Sequence, residues 1–211
     1  MVRVKICGIT NLEDAKAVVA LGADALGFLV DIPEAINSIG SATTAEIVSH
    51  LPPFVSSVAV TTETDAKEIL RVIKQARTTT IQLQGNVTAD TVRAVKVFFV
   101  KVYAAVHVSD ESAIEKAKEL AEAADAIILD SSAPGVLGGT GKTHDWNISR
   151  KIVEAVSVPV ILAGGLNPDN VAEAIEKVRP YAVDVQSGVS NTDGSKDLAK
   201  VKRFIEIAKS F

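Results

Sequence analysis

Eight short apolar runs divide this chain from end to end, and each is followed by a stretch whose apolar residues recur at helical spacing. The runs lie at residues 2–9, 25–30, 55–61, 80–84, 99–105, 126–130, 158–163 and 182–186. They are rich in Val and Ile and lack polar alternation, the pattern of strands buried on both faces. Helices are expected at 12–21, 42–51, 65–75, 89–96, 110–123, 148–156, 168–178 and 197–209. Asn11 and Gly22 bracket the first as start and stop signals. Parallel strands need such helical crossovers. An open doubly wound sheet uses the same units, but eight of them at even spacing favour a closed (β/α)8 TIM barrel. No proline- or glycine-rich linker interrupts the series, so one α/β domain over residues 1–211 is expected.

The totals narrow the function classes. With 47% hydrophobic and 23% charged residues, 211 residues can bury a large core. The net charge of −4 comes from interleaved acids and bases, without a basic stripe, which argues against nucleic acid as the main partner. A single cysteine excludes an intrachain disulfide and fits a reducing compartment. No apolar run has the length of a membrane span, and no signal-peptide pattern opens the chain. A cytoplasmic protein without membrane contact is expected, as monomer or homodimer.

In a barrel, function sits on the loops that follow the strands. Strand one closes in Lys5-Ile6-Cys7-Gly8-Ile9-Thr10, with the only thiol at its carboxyl end and Lys5 two residues earlier on the same face. A buried cysteine is usually a small hydrophobe, so position alone leaves its role open. Strand six closes in Ile127-Ile128-Leu129-Asp130. Asp130 could merely cap the next loop; facing a thiolate, a carboxylic acid in an apolar pocket would make an acid/base pair for proton transfer at carbon. Strand four ends in Gln82-Leu83-Gln84-Gly85, which offers polar groups without a strong base.

Three glycine-bearing loops can approach an anion. Strand seven runs into Ala163-Gly164-Gly165-Leu166, and strand eight into Asp184-Val185-Gln186-Ser187-Gly188-Val189. Barrels often bind phosphate with the backbone N–H groups of these two loops. The third, Gly138-Gly139-Thr140-Gly141-Lys142-Thr143, lacks the first glycine of an ATP-binding P-loop. Asp184 can bind a substrate hydroxyl or amine, or orient a neighbour. Lys101, inside strand five, is expected to point into the barrel, as a salt-bridge partner or a Schiff-base amine. His50, His107 and His144 form no metal-ligand pattern.

Together these motifs, with Gly138-Gly139-Thr140-Gly141 and Asp145-Trp146, resemble the phosphoribosylanthranilate isomerase family of tryptophan biosynthesis. The resemblance implies an Amadori rearrangement of an aminoaldose phosphosugar, with no cofactor and no metal. It implies Asp130 as general acid and Cys7, as thiolate, as general base. Lys5, Gln82, Gln84 and Asp184 would contact substrate, and Gly139, Gly141, Gly164, Gly165, Ser187 and Gly188 the phosphate. Lys5 is expected to lower the thiol's pKa. Two positions depart from the family pattern. Asn37 stands where the family's arginine is expected to meet the anthranilate carboxylate, and Gln84 replaces the histidine of Gln-Leu-His-Gly. A different phosphosugar barrel enzyme, or a non-catalytic phosphometabolite-binding barrel, therefore remain open as alternatives.

Overall fold

A computed structural model of the chain describes residues 1–98, 100–131 and 143–211. Eight parallel strands form the barrel: β1 (Arg3–Cys7), β2 (Ala25–Val30), β3 (Ser56–Thr61), β4 (Thr80–Leu83), β5 (Lys101–His107), β6 (Ala126–Asp130), β7 (Val160–Leu162) and β8 (Ala182–Val185). Each pairs with the next, and β8 returns to β1 through Arg3↔Ala182, Val4↔Val183, Lys5↔Asp184 and Ile6↔Val185, which closes the ring. The connection after β2 adds a two-residue strand, Ser38–Ile39, that pairs with Leu29 and Val30 at the rim.

The helices are α1 (Leu12–Ala20), α2 (Ser41–Ser49), α3 (Ala66–Ala76), α4 (Ala89–Lys96), α5 (Ser112–Ala121), α6 (Trp146–Ala155), α7 (Val171–Val178) and α8 (Leu198–Lys209). Their starts follow side-chain chemistry. Asn11, Asp65, Thr88, Asp145 and Asp197 each accept from a backbone N–H of the first turn, the usual way of satisfying the orphan donors there. The seventh helix begins at Val171 rather than at 168. Asn170 accepts from Asn167 N at 2.8 Å and donates to Gly165 O at 3.0 Å, so this stretch folds as a turn first.

Burial separates two interiors. Val4, Ile6, Leu26, Phe28, Ile81, Leu83, Ile127, Leu129 and Val183 point outward and pack under the helices in one large apolar core. The alternate residues face the barrel axis. Its lower layer is small and apolar: Ala105, Ala126, Ile128, Ile161 and Ala182, with Tyr103 against them. Lys5, Gln82 and Asp184 also face inward, and Cys7 packs with Leu29, Ile32 and Val60 above. The polar groups thus gather toward the carboxyl ends of the strands.

Lys101 corrects an expectation. It opens β5 at the opposite, amino-terminal end, is exposed, and pairs with Asp125 at 3.3 Å on the surface. It does not enter the barrel, so neither interior role applies. Among the described residues no helix is long and apolar enough to cross a membrane.

Candidate active site

The cavity at the carboxyl end of the barrel is lined by Cys7, Gln82, Gln84, Asp130 and Asp184, with Gly164, Gly165 and Ser187 on its rim. Cys7 comes from the end of β1 and is 5% exposed. Beneath it, the Lys5 Nζ donates to Asp184 Oδ2 at 2.9 Å across the β1–β8 seam. Burial alone would discharge this lysine, but Asp184 and Cys7 outweigh it and hold Lys5 well above the ordinary ammonium range. The other oxygen of Asp184, Oδ1, is buried without a partner among the described residues.

Gly27 makes this cluster possible. Its register partner on β1 is Cys7, and a Cβ at Gly27 would lie 2.6 Å from Cys7 Sγ and 3.0 Å from Lys5 Nζ. Any side chain here would occupy the space of the two functional groups. A lone glycine inside a strand signals such a close approach, and this signal was present in the sequence.

Burial pushes the Cys7 thiol above its ordinary pKa; Lys5 pulls it down, Asp184 pushes it up and Lys196 pulls it down. The expected help from Lys5 is therefore real in sign but smaller than the cost of burial.

Across the mouth, Asp130 ends β6 half-buried. Ser131 N donates to its Oδ1 at 2.7 Å and Gln84 Nε2 to its Oδ2 at 2.8 Å. Gln84 Oε1 accepts in turn from Gln82 Nε2 at 2.8 Å. Two amides spaced i, i+2 on one strand face thus form a relay ending on the carboxyl group. Behind it, His144 bridges Ser131 Oγ at 2.8 Å and Ser149 Oγ at 2.6 Å, and burial lowers its pKa against the pull of Asp130 and Asp145.

The rim provides backbone donors. Gly164 and Gly165 both hold positive φ, at 81° and 67°, and a Cβ on Gly164 would strike Ser131. After β8 the chain makes a single 3-10 turn, Ser187–Val189, whose first N–H groups have no partner within the turn. Gly139 and Gly141 lie outside the described residues.

The sequence matches the family model of N-(5'-phosphoribosyl)anthranilate (PRA) isomerase over residues 4–207. The chain belongs to the phosphoribosylanthranilate isomerase family. It is 48% identical to the N-(5'-phosphoribosyl)anthranilate isomerase of Methanocella arvoryzae over 209 residues, 98% of this chain and 97% of that one. The crystal structure of phosphoribosyl anthranilate isomerase from Thermotoga maritima superimposes with a TM-score of 0.90 at 41% identity, covering all of both chains. A further family structure, in complex with reduced 1-(o-carboxyphenylamino)-1-deoxyribulose 5-phosphate, matches over both whole chains with a TM-score of 0.87 at 39% identity.

Asn37 takes up a structural task. Its side chain is 2% exposed, and Nδ2 donates to Gly8 O at 3.3 Å and to Gly194 O at 3.2 Å. It ties the turn after Cys7 to the loop after β8. Gly8 and Gly194 both hold positive φ and leave no room for a Cβ beside it. Neither Arg71 nor Arg3 lines the cavity. Arg71 is exposed on α3 with Glu68 and Asp31, and Arg3 pairs with Asp24 at the other end of the barrel.

Proposed function

We propose that this chain catalyses the isomerase step of tryptophan biosynthesis with Asp130 as general acid and Cys7 as general base. The substrate, N-(5-phosphoribosyl)anthranilate, is a cyclic aminoaldose. Asp130 gives its proton to the ring oxygen; the C1–O bond breaks and the nitrogen lone pair forms the C1=N iminium. The Cys7 thiolate then takes the C2 proton, and the C2–H electrons move into C1=C2 as the iminium electrons return to nitrogen. The resulting enolamine becomes the 1-amino-1-deoxy-ketose when C1 gains a proton and the C2 hydroxyl loses one. C1 is reduced, C2 is oxidised, and all electrons stay within the substrate.

The observation that carries this reading is the convergence of the β1 thiol and the β6 carboxyl on one cavity, with the Gln82–Gln84 relay on the acid. The relay suits a group that changes protonation state. With the amides as observed it donates to a carboxylate. With both amides turned over, Gln84 Oε1 accepts from a protonated Asp130, and Gln82 Oε1, otherwise buried without a partner among the described residues, accepts from Gln84. The unpaired Asp184 Oδ1 is free to accept a ribose hydroxyl, with Lys5 holding the carboxylate in place. Gly164, Gly165, Ser187 and Gly188 supply backbone N–H groups for the phosphate, joined by Gly139 and Gly141.

Cys7→Ala and Asp130→Asn test the assignment. Each is expected to fold with an unchanged circular dichroism spectrum and to lose at least about a hundredfold in kcat in a fluorescence assay of anthranilate-adduct consumption. Full turnover in either variant refutes its role.

The chain is read as one domain over residues 1–211 acting in the cytoplasm. A homodimer is supported by the amino-terminal face, where Phe54 is 99% exposed beside a cavity rimmed by Tyr181 and Tyr103. Light scattering on purified protein distinguishes it from a monomer.

A further inference from the structure

His144 is an imidazole held at both nitrogens, and the isomerisation as described gives it no task. It stands one residue before Asp145, the cap of α6, and Ser149 stands four residues after that cap. These two positions flank a helix start and often hold an apolar pair that fixes the entry of the chain. Here they hold a hydrogen bond, His144 Nε2 to Ser149 Oγ at 2.6 Å, and Ser149 is fully buried. An apolar pair would close the helix start equally well, so the ring is not explained by the helix alone.

Its other nitrogen, Nδ1, meets Ser131 Oγ at 2.8 Å. Burial lowers the His144 pKa below its ordinary value, so the ring is neutral at pH 7. A neutral ring has one donor and one acceptor nitrogen. Each serine hydroxyl supplies the complement, so the bridge is satisfied in either tautomer.

Three parts of the site meet at Ser131. Its backbone N–H donates to Asp130 Oδ1 at 2.7 Å. Its hydroxyl is tied to His144. It also lies against Gly164, where positive φ and the missing side chain allow the approach, since a Cβ there would strike Ser131. Gln84 Nε2 holds the second Asp130 oxygen at 2.8 Å. Donors on both oxygens fix the plane of the carboxyl group, and the first of them is only as well placed as the Ser131 backbone.

We propose that His144 is a positioning residue for the general acid: anchored to α6 through Ser149, it holds Ser131 against Gly164 so that the Ser131 N–H orients the Asp130 carboxyl group in the cavity. This rests on Asp130 being the acid. His144 itself touches no reacting atom and gives up no proton.

Steady-state kinetics in the fluorescence assay test the proposal. His144→Phe keeps a ring between the two serines and loses both hydrogen bonds. Its kcat is expected to fall about tenfold, as for a small misplacement of a catalytic group, with KM for the anthranilate adduct within about twofold. His144→Asn, whose side-chain amide takes the place of Nδ1, should recover most of that loss. In an Asp130→Asn background the acid is gone, and His144→Phe should then lower kcat no further. A folded His144→Phe with wild-type kcat overturns the proposal. So does a loss that persists in the Asp130→Asn background, or a His144→Asn variant as slow as His144→Phe. Should His144→Phe fail to fold, Ser131→Ala, which removes the hydroxyl alone, is read in the same way. The acid assignment is judged separately. Full turnover in Asp130→Asn refutes it whatever His144 does, whereas an inactive Asp130→Asn beside a fully active His144→Phe removes only the role of His144.

Discussion

Lys5 and Asp184 stand opposite each other across the β1–β8 seam, and the lysine donates to the carboxylate at 2.9 Å inside the barrel. Both are almost fully buried. The pair closes the ring with a charge contact between registers that carry Val and Ile, and it underlies the thiol. Removing Asp184 leaves an ammonium in a dry interior. Asp184→Ala is therefore expected to lose roughly 3–5 kcal/mol of stability, measured by urea unfolding. A loss under 1 kcal/mol would show that the site rehydrates.

Gly27→Ala places a methyl group on Cys7 Sγ and the Lys5 head group. Neither can retreat without breaking the Asp184 contact or leaving the cavity. Overpacking of this kind costs roughly 1–3 kcal/mol, and kcat should fall with it. Wild-type turnover and midpoint in a thermal melt would contradict the crowding.

Asn37→Arg would restore the family's residue type but not its geometry. Asn37 is enclosed between Gly8 and Gly194, and its amide hydrogen bonds hold two loops together. The variant is expected to lose stability and to weaken substrate binding, not to tighten it. A lower KM for the anthranilate adduct would refute this.

Gln84→Leu removes the side-chain donor to Asp130 while keeping the volume. A hydrogen bond to a charged group contributes about 1.5–3 kcal/mol, so kcat should fall roughly ten- to a hundredfold. KM should change much less, because the relay touches the acid and not the phosphate. Steady-state kinetics separate the two.

Lys196 predicts a pH dependence of stability. Burial pushes its pKa down to about 8, against Cys7, Asp14 and Asp184, while the unfolded chain titrates near 10.5. Between these values the unfolded state binds more protons, so this residue makes stability rise as pH rises through about 8 to 10. Below that window the folded protein bears the full cost of the charge, roughly 3 kcal/mol. Lys196→Met should therefore gain more stability over wild type at pH 7 than at pH 10. Equal differences at both, by urea denaturation, would refute it.

The alternation of Val- and Ile-rich runs with helical stretches determined the barrel, because period and count are local properties that a chain shows before it folds. The strand ends were legible for the same reason. Cys7, Gln82, Gln84, Asp130 and Asp184 all line the cavity, since a barrel sends every strand terminus to one rim. Lys101 went the other way because the strand starts two residues later than the apolar run, which puts Lys101 at its exposed amino-terminal end.

What the linear order could not contain is which side chains meet across the ring. Lys5 and Asp184 lie 179 residues apart and touch only because β8 closes onto β1 in that register. Asn37 was read from its place in a motif as a lost carboxylate contact; tertiary folding makes it a strut between Gly8 and Gly194. Lys196 carried no signal at all in a polar loop, and only tertiary folding buries its ammonium against Ser190 Oγ. Periodicity is encoded residue by residue, whereas the electrostatics of a buried site depend on distances that exist only once the barrel has closed.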